Sequence, residues 1–467
     1  MVASSLGDVV VLGLGTTGLG VADYLAQRIG TLASSVTLYG GASAVPSDAT
    51  RSLEQRGVRV VCGTEDVEGS YDLAVVSPGI PEHSAFFRSA VSCATEVIGE
   101  PELAWRLSPE RWVAITGTNG KTTTTLLTKS LLQSGGLEAE AVGNVGRLAT
   151  SEVATREEGT WFVAELSSFQ LATTTRLHPR VACLLNVTPD HLEWHGSMGE
   201  YALAKERVFA NLEAGDLAIV SVEDEWCRAA VSRLEARGLR VCRVSVHSEL
   251  DSACAAFVRK GRLVVRLDGN EHVLVSADNM AIKGVHNVQN ALVASAVALE
   301  LGVPAEAVSH GLLQFRPLEH RIESCGTIDG ITYVNDSKAT NVDSVEKALT
   351  AFVPGRVVVL LGGHDKGTEL STLAHAVSAR CKAAVCYGEA GPRIAQALRD
   401  EDGDMGLAVI EVPHMADALA AATDVATRGD VVLLSPACSS FDEFKSYTQR
   451  GTVFKELVRA LKEQRHE

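Results

Sequence analysis

No stretch of this 467-residue chain reaches the ~18 uninterrupted apolar residues that a membrane-spanning helix needs. The N-terminus also lacks a basic segment leading into an apolar run and a cleavage site. The expectation is a soluble, cytoplasmic protein without membrane insertion. Positive charge is scarce: 42 Lys and Arg stand against 58 Asp and Glu, for a net charge of −16. Nothing resembles a basic stripe, which disfavours nucleic acid, so no nucleic-acid partner is expected. None of the ten cysteines forms a C-x-x-C pair, and the nearest two, Cys381 and Cys386, lie on or beside one short apolar run. Cysteines scattered through apolar runs, such as Cys62, Cys183 and Cys386, read as small core residues in a reducing compartment. Low-complexity segments and short-period repeats are missing too.

The chain does hold ample apolar material, 46% of its residues, and enough length for about three domains at roughly 150 residues each. Apolar runs of four to six residues alternate with helical periodicity, which predicts parallel α/β sheets. Three blocks follow: 1–101, 102–316 and 317–467, with Arg316-Pro317 as the second linker. The first reads as a Rossmann-like domain with strands at 9–12, 36–39, 58–61 and 73–76. The second is a P-loop-type domain with strands at 161–166 and 181–186, three short antiparallel strands near 256–275, and a closing helix over 287–301. The third is again Rossmann-like, with strands at 331–334, 357–361, 383–387, 408–412 and 431–434.

The most informative segment is Val113-Ala114-Ile115-Thr116-Gly117-Thr118-Asn119-Gly120-Lys121-Thr122-Thr123. It reads as a strand, a glycine turn and the start of a helix. Glycines let backbone N–H groups curl around an anion, the helix adds its positive end, Lys121 adds a point charge and Thr122 Oγ1 can ligate Mg²⁺. The strict Walker spacing would need glycine at Ile115, so this is a shortened variant. It predicts ATP binding through Gly117, Thr118, Asn119, Gly120, Lys121, Thr122 and Thr123.

Gly13-Leu14-Gly15-Thr16-Thr17-Gly18 follows a strand and opens a helix, as a dinucleotide fingerprint does. NAD would need an acid at the end of the second strand, where Tyr39-Gly40 stands instead. A UDP-sugar therefore fits better than NAD, with a mere packing turn as the plainer alternative. Ser77-Pro78-Gly79-Ile80 follows the fourth strand, where open α/β sheets bind ligands. Glu165, at the end of a strand in the phosphate-loop block, can hold Mg²⁺ or simply cap a helix. His191, in Asn186-Val187-Thr188-Pro189-Asp190-His191, is a candidate metal ligand, orienting group or structural histidine. Lys205 reads as a solvent-facing helix lysine on sequence grounds alone. In the third block three polar loops follow three strands, Asn335 to Asn341, Gly362 to Gly367 and Ser435 to Asp442. Lys338, Lys366 and Ser440 make them a pocket for a small carboxylate.

Taken in order, these motifs, with GNVG at 143–146, HNVQNAL at 286–292 and NDSKATN, GGHDKG and SPACSSFDEF in the third block, resemble the Mur ligase family. These are ATP-dependent amide-bond-forming enzymes of peptidoglycan synthesis. The third-block loops look like those of the branch that adds D-glutamate to UDP-N-acetylmuramoyl-L-alanine. The resemblance implies catalytic roles for Lys121, His191, Lys205 and Lys338, and nucleotide contacts from Asn290, Arg321 and Asp336. It further implies a UDP-substrate site at Thr16, Thr17, Ser77, Asn144 and Ser167, and a D-glutamate site at Thr340, Lys366, Ser440, Phe441 and Tyr447. Thr122, Glu165, His191 and a carbamylated Lys205 would hold two Mg²⁺ ions. A monomer is expected, with domain closure to protect an acyl phosphate from water. Two other readings stay open: another Mur-type or folylpolyglutamate-type ligase, and a phosphate-loop ATPase switch, which would hydrolyse ATP without small-molecule substrates.

Overall fold

The computed structural model describes residues 5–316, 319–365, 367–402 and 406–465. The chain divides into two compact units, Met1–Asn279 with Gln289–Leu313, and Met280–Val288 with Gln314–Glu467. The first unit holds two sheets and the second holds one.

Near the N-terminus, β1 (Asp8–Leu12), β2 (Ser35–Tyr39), β3 (Arg59–Val61), β4 (Tyr71–Val76) and β5 (Ala94–Gly99) form a parallel sheet ordered β3-β2-β1-β4-β5. Valines and leucines fill the central strands because both faces are covered: Val9 and Val11 join one core, Val10 and Leu12 the other. Strand β5 escaped sequence reading. It follows the helix Ala85–Cys93 without a loop and lies at the sheet edge, where Ala94, Glu96 and Val97 are only half buried. Its first residues, Ala94-Thr95-Glu96, are not an apolar run and carry no turn signal that would separate them from the helix.

The second sheet contains β6 (Trp112–Thr116), β7 (Ala139–Gly143), β8 (Trp161–Glu165), β9 (Val181–Leu184), β10 (Leu217–Ser221), β11 (Arg240–Ser245), β12 (Ala255–Arg259), β13 (Arg262–Leu267) and β14 (Asn270–Ser276). Its order is β14-β13-β12-β11-β10-β9-β6-β8-β7. Pairing is parallel from β7 to β12 and antiparallel from β12 to β14, where two-residue turns at Lys260-Gly261 and Asp268-Gly269, all four residues at positive φ, reverse the chain; the expected Gly-Asn turn thus lies one residue earlier, with Asn270 already in β14. The first two sheets are tied by Glu100, buried at the start of the helix Glu100–Leu107, which accepts from Thr150 N (2.7 Å) and Thr150 Oγ1 (2.8 Å).

The second unit's sheet contains β15 (Glu323–Ile328), β16 (Ile331–Asn335), β17 (Val357–Gly362), β18 (Cys381–Tyr387), β19 (Ala408–Glu411) and β20 (Val431–Ala437), ordered β15-β16-β20-β17-β18-β19. Only β15 is antiparallel. Here too a core covers each face. All ten cysteines are free; Cys183 and Cys386 are buried, whereas Cys62 is half exposed. No helix among the described residues is long and apolar enough to cross a membrane.

Candidate active site

In the N-terminal sheet the strand order reverses between β1 and β4, so the loops after them open a crevice at their carboxyl ends. Gly13 follows β1 at φ +99°, and a Cβ there would lie 2.7 Å from Ser77 Oγ, in the loop after β4. At Gly18 a Cβ would strike Gly13 O, so this glycine is what lets the helix Thr16–Ala26 close on the strand. That helix begins at Gly15 without a side-chain cap, leaving its first-turn N–H groups to an anion beside Thr16 and Thr17. Ser77 Oγ is buried and has no hydrogen-bond partner, as a group awaiting a ligand would be.

In the central sheet β6 ends at Thr116 and the helix Lys121–Ser134 starts at Gly120, in the left-handed region at φ +84° and without a side-chain cap. The helix begins three residues earlier than its apolar periodicity predicts, because its first turn is the polar Lys121-Thr122-Thr123. The loop is held from several sides. Lys121 Nζ donates to Gly117 O and Thr118 O, both at 2.9 Å. Asn119 N donates to Asn186 Oδ1 (2.8 Å), and Asn186 Nδ2 returns a bond to Asn119 O. Buried Asn290 packs so closely that a Cβ on Gly120 would lie 2.5 Å from its Oδ1.

Glu165, at the end of β8, is buried; its Oε1 accepts from Asn144 Nδ2 (2.9 Å) while its Oε2 is buried without a partner. The chemistry of that orphan oxygen, with Thr122 nearby in sequence to the loop, suits a hard cation that takes oxygen ligands. No cluster of three His, Cys, Asp or Glu side chains occurs among the described residues. Mg²⁺ usually binds through one or two carboxylates plus substrate phosphates and waters, so such a cage is not what its site requires. Ser167 caps the helix Ser168–Ala172 and forms a capping box with Gln170. Gly20 and Leu148 lie in contact, which brings the segment after Asn144 against the helix Thr16–Ala26.

Lys205 departs from its sequence reading as a surface lysine: it is only 2% exposed. The helix Met198–Glu206 buries Tyr201, Ala202, Ala204 and Lys205, and Lys205 Nζ donates to Gly117 O at 2.9 Å, 4.4 Å from the Tyr201 ring centroid. Burial first, then the neighbouring charge of Lys121, pushes its amine well below the ordinary lysine range. Helical periodicity could not reveal this, since the burying partner is a loop 88 residues away. His191 is about half exposed at φ +54°, Nε2 3.5 Å from Asp190 Oδ2, with the Phe169 ring 4.8 Å away. His195, not singled out by sequence, stacks on the same Phe169 ring, with centroids 5.5 Å apart. Its Nε2 is 2.9 Å from Ser168 Oγ, and burial together with Lys205 lowers its pKa to about 4.

In the second unit the loops after β16, β17 and β20 meet at one edge of the sheet. Asp336 is buried, accepting from Ser435 Oγ (2.8 Å) and Ile322 N (3.2 Å), and burial raises its carboxyl to about 7. Lys338 Nζ sits 4.0 Å from the Tyr447 ring centroid. His364 N donates to Ser439 O, joining the β17 and β20 loops. Ser440 is buried and Phe441 is 71% exposed. Thr340 lies one residue before Asn341, which caps the helix Val342–Leu349. Lys366 and the linker residue Pro317 lie outside the described residues. Sequence reading missed Arg450, which is wholly buried and bonds to the loops carrying Lys338 and Ser440.

Comparison with known proteins accounts for all three parts. The Mur ligase MurD-like N-terminal domain matches residues 7–99, the Mur ligase middle domain 115–298, and the Mur ligase glutamate ligase domain 320–438. A UDP-N-acetylmuramoylalanine–D-glutamate ligase of Koribacter versatilis is 38% identical, with 98% of each chain covered. One of the same name from Acidobacterium capsulatum is 39% identical over 97% of this chain and 96% of its own. Among solved structures, MurF of Acinetobacter baumannii aligns at TM-score 0.60 and 17% identity, covering 85% of this chain and 92% of its own. MurC of Thermotoga maritima aligns at 0.56 and 20%, covering 97% and 100%; both likenesses concern the fold. The chain belongs to the Mur ligase family, with the three-domain α/β architecture of that family.

Proposed function

We propose that this chain is an ATP-dependent ligase that joins D-glutamate to UDP-N-acetylmuramoyl-L-alanine in peptidoglycan precursor synthesis, releasing ADP and phosphate. The carrying observation is the phosphate loop with Lys121 spanning it and a buried carboxylate oxygen of Glu165 left without a partner. It occurs in a chain that aligns nearly end to end with ligases of that name.

A carboxylate is a poor electrophile, so the alanyl carboxylate first attacks the γ-phosphorus of ATP and ADP leaves. This transfer is mainly positioning and electrostatics. Gly117, Thr118, Asn119, Gly120 and Thr123 line the loop whose N–H groups receive phosphate oxygens, and Lys121 offsets their growing charge. Thr122, Glu165, His191 and Lys205 would hold Mg²⁺, as two ions, which would supply further neutralisation of the phosphate oxygens. The amine of D-glutamate then attacks the acyl-phosphate carbon, the tetrahedral centre collapses, phosphate leaves and the nitrogen loses a proton. Lys338 steadies this reacting centre.

Lys205 would serve as a carbamate. Its lowered amine supports this, because only a neutral nitrogen can attack CO₂. A nitrogen–carbon bond forms, a carbonyl electron pair moves to oxygen, a proton departs, and a cation becomes a carboxylate-like ligand. Asn290, Arg321 and Asp336 contact the nucleotide. Thr16, Thr17 and Ser77 hold the UDP moiety, with Asn144 and Ser167 towards the muramoyl–alanine arm. Thr340, Lys366, Ser440, Phe441 and Tyr447 receive D-glutamate. The domains are 1–101, 102–316 and 317–467, and the enzyme works as a cytoplasmic monomer. A coupled ADP-release assay with UDP-N-acetylmuramoyl-L-alanine and a panel of amino acids tests the reading. Release should require both substrates and favour D-glutamate. ADP release with neither, or equal kcat/KM for L-alanine or a diamino acid, would sink it.

A further inference from the structure

Arg450 lies in the first turn of the helix Tyr447–Gln464 and is 0% exposed. A buried arginine ordinarily faces a carboxylate; this one bonds instead to the backbone and a hydroxyl. Nε donates to Ser337 Oγ (3.0 Å), and Nη2 donates to Ser337 O (2.9 Å) and Cys438 O (3.0 Å). Nη1 reaches Ser439 O at 3.4 Å. Ser337 directly precedes Lys338, and Cys438 and Ser439 directly precede Ser440. One guanidinium thus spans the loop after β16 and the loop after β20. A third loop is moulded to it, because a Cβ on Gly363 would lie 3.0 Å from Nη1 and only 2.2 Å from Ser439 O. Ser337 Oγ also donates to Tyr447 O (2.8 Å), which ties the same loop to the helix carrying Arg450.

We infer that Arg450 is a positioning residue for D-glutamate, fixing the spacing of the Lys338 and Ser440 loops; this rests on the assignment of those loops to the amino-acid substrate. The fork geometry of the guanidinium suits the task. Its donors are fixed in one plane, so two loops bound to it cannot slide independently, whereas a lysine ammonium reaches the same atoms only one or two at a time. Thr340 in the first of these loops and Ser440 in the second are both assigned to D-glutamate, so the influence of Arg450 falls first on that substrate; none of its bonds reaches the phosphate loop or the N-terminal sheet.

The test measures KM for D-glutamate, ATP and UDP-N-acetylmuramoyl-L-alanine, with kcat and Tm, for wild type, Arg450→Ala, Arg450→Lys and Ser337→Ala. Arg450→Ala should raise the D-glutamate KM by at least tenfold and leave the other two within about twofold, with free guanidinium ion restoring part of the loss. Arg450→Lys should be impaired in the same sense despite keeping the charge. Should Arg450→Ala fail to fold, Ser337→Ala, which keeps the guanidinium and removes one acceptor, should still raise the D-glutamate KM alone. A lowered Tm with all three KM values unchanged, a fall in kcat without a rise in the D-glutamate KM, or full activity of Arg450→Lys would overturn the positioning role. If wild type itself does not use D-glutamate, the substrate assignment fails instead, which separates the two cases.

Discussion

Replacing Lys205 by alanine should uncouple stability from catalysis. In the structure Lys205 is buried, and its amine donates to Gly117 O at 2.9 Å, a carbonyl that Lys121 Nζ also reaches. The variant therefore removes one of two side-chain bonds to that oxygen, a net loss of about 0.5–1.5 kcal/mol. Against this, the wild-type protein must strip the lysine of water or of its proton in order to bury it, a cost the alanine variant escapes. The two effects oppose each other, so Tm should move little. Catalysis should suffer far more: losing a preorganised electrostatic group typically lowers kcat by about 10²–10³-fold, roughly 2.7–4 kcal/mol. Phosphate release would be followed with both substrates saturating, with and without added acetate or formate. A short carboxylate can occupy the vacated space and should restore part of the rate if a carbamate is the working form. The lowered amine also fixes the sign of a pH effect. Between its folded pKa and the unfolded value of about 10.4, the unfolded chain binds the extra proton. Wild-type stability in CO₂-free buffer should therefore rise with pH across that window and be lost as pH falls, and the alanine variant should show a shallower slope. Full activity of Lys205→Ala in CO₂-depleted buffer would refute the carbamate.

Lys121→Ala should lower kcat by on the order of 10²–10³-fold, the range for a lost electrostatic stabiliser, and near-normal turnover would show that this loop does not hold the transferring phosphoryl group. Asp336, held at about 7 by burial, carries stability that is complete below the unfolded value of about 3.9 and lost as pH rises through 7. Denaturant titrations of Asp336→Asn should flatten that decline, and an unchanged pH profile would discount the raised carboxyl. Lys366→Ala should raise the KM for D-glutamate far more than that for ATP or the UDP-sugar, as the loss of a charge-assisted lysine–carboxylate contact would. D-Glutamine and L-glutamate should be poor substrates of the wild type, and equal use of either would contradict two separate anion contacts.

The parts of the site that were legible in sequence are those whose chemistry is local. Gly117 and Gly120 announce a phosphate loop because a backbone that must cradle an anion cannot tolerate Cβ atoms, and Lys121 follows the second glycine directly. Tyr39, standing where a ribose-binding acid would be needed, argued against NAD for an equally local reason. Strand β5 was illegible because an edge strand buries one face incompletely and its first residues carry no turn signal that separates them from the helix.

The sequence alone determined the alternation of apolar strands with amphipathic helices, and hence the parallel sheets, because side-chain periodicity is a property of consecutive residues. It also determined the order of the loops at strand ends, and with them the family. Tertiary structure alone decided what those loops meet. Lys205 reads as a surface residue until Gly117 and Tyr201 enclose it, and Arg450 reads as an ordinary helix arginine until Ser337, Cys438 and Ser439 turn their oxygens towards it. The reason is the same in both cases: burial of a charge depends on partners far away in the chain, and helical spacing carries no information about them.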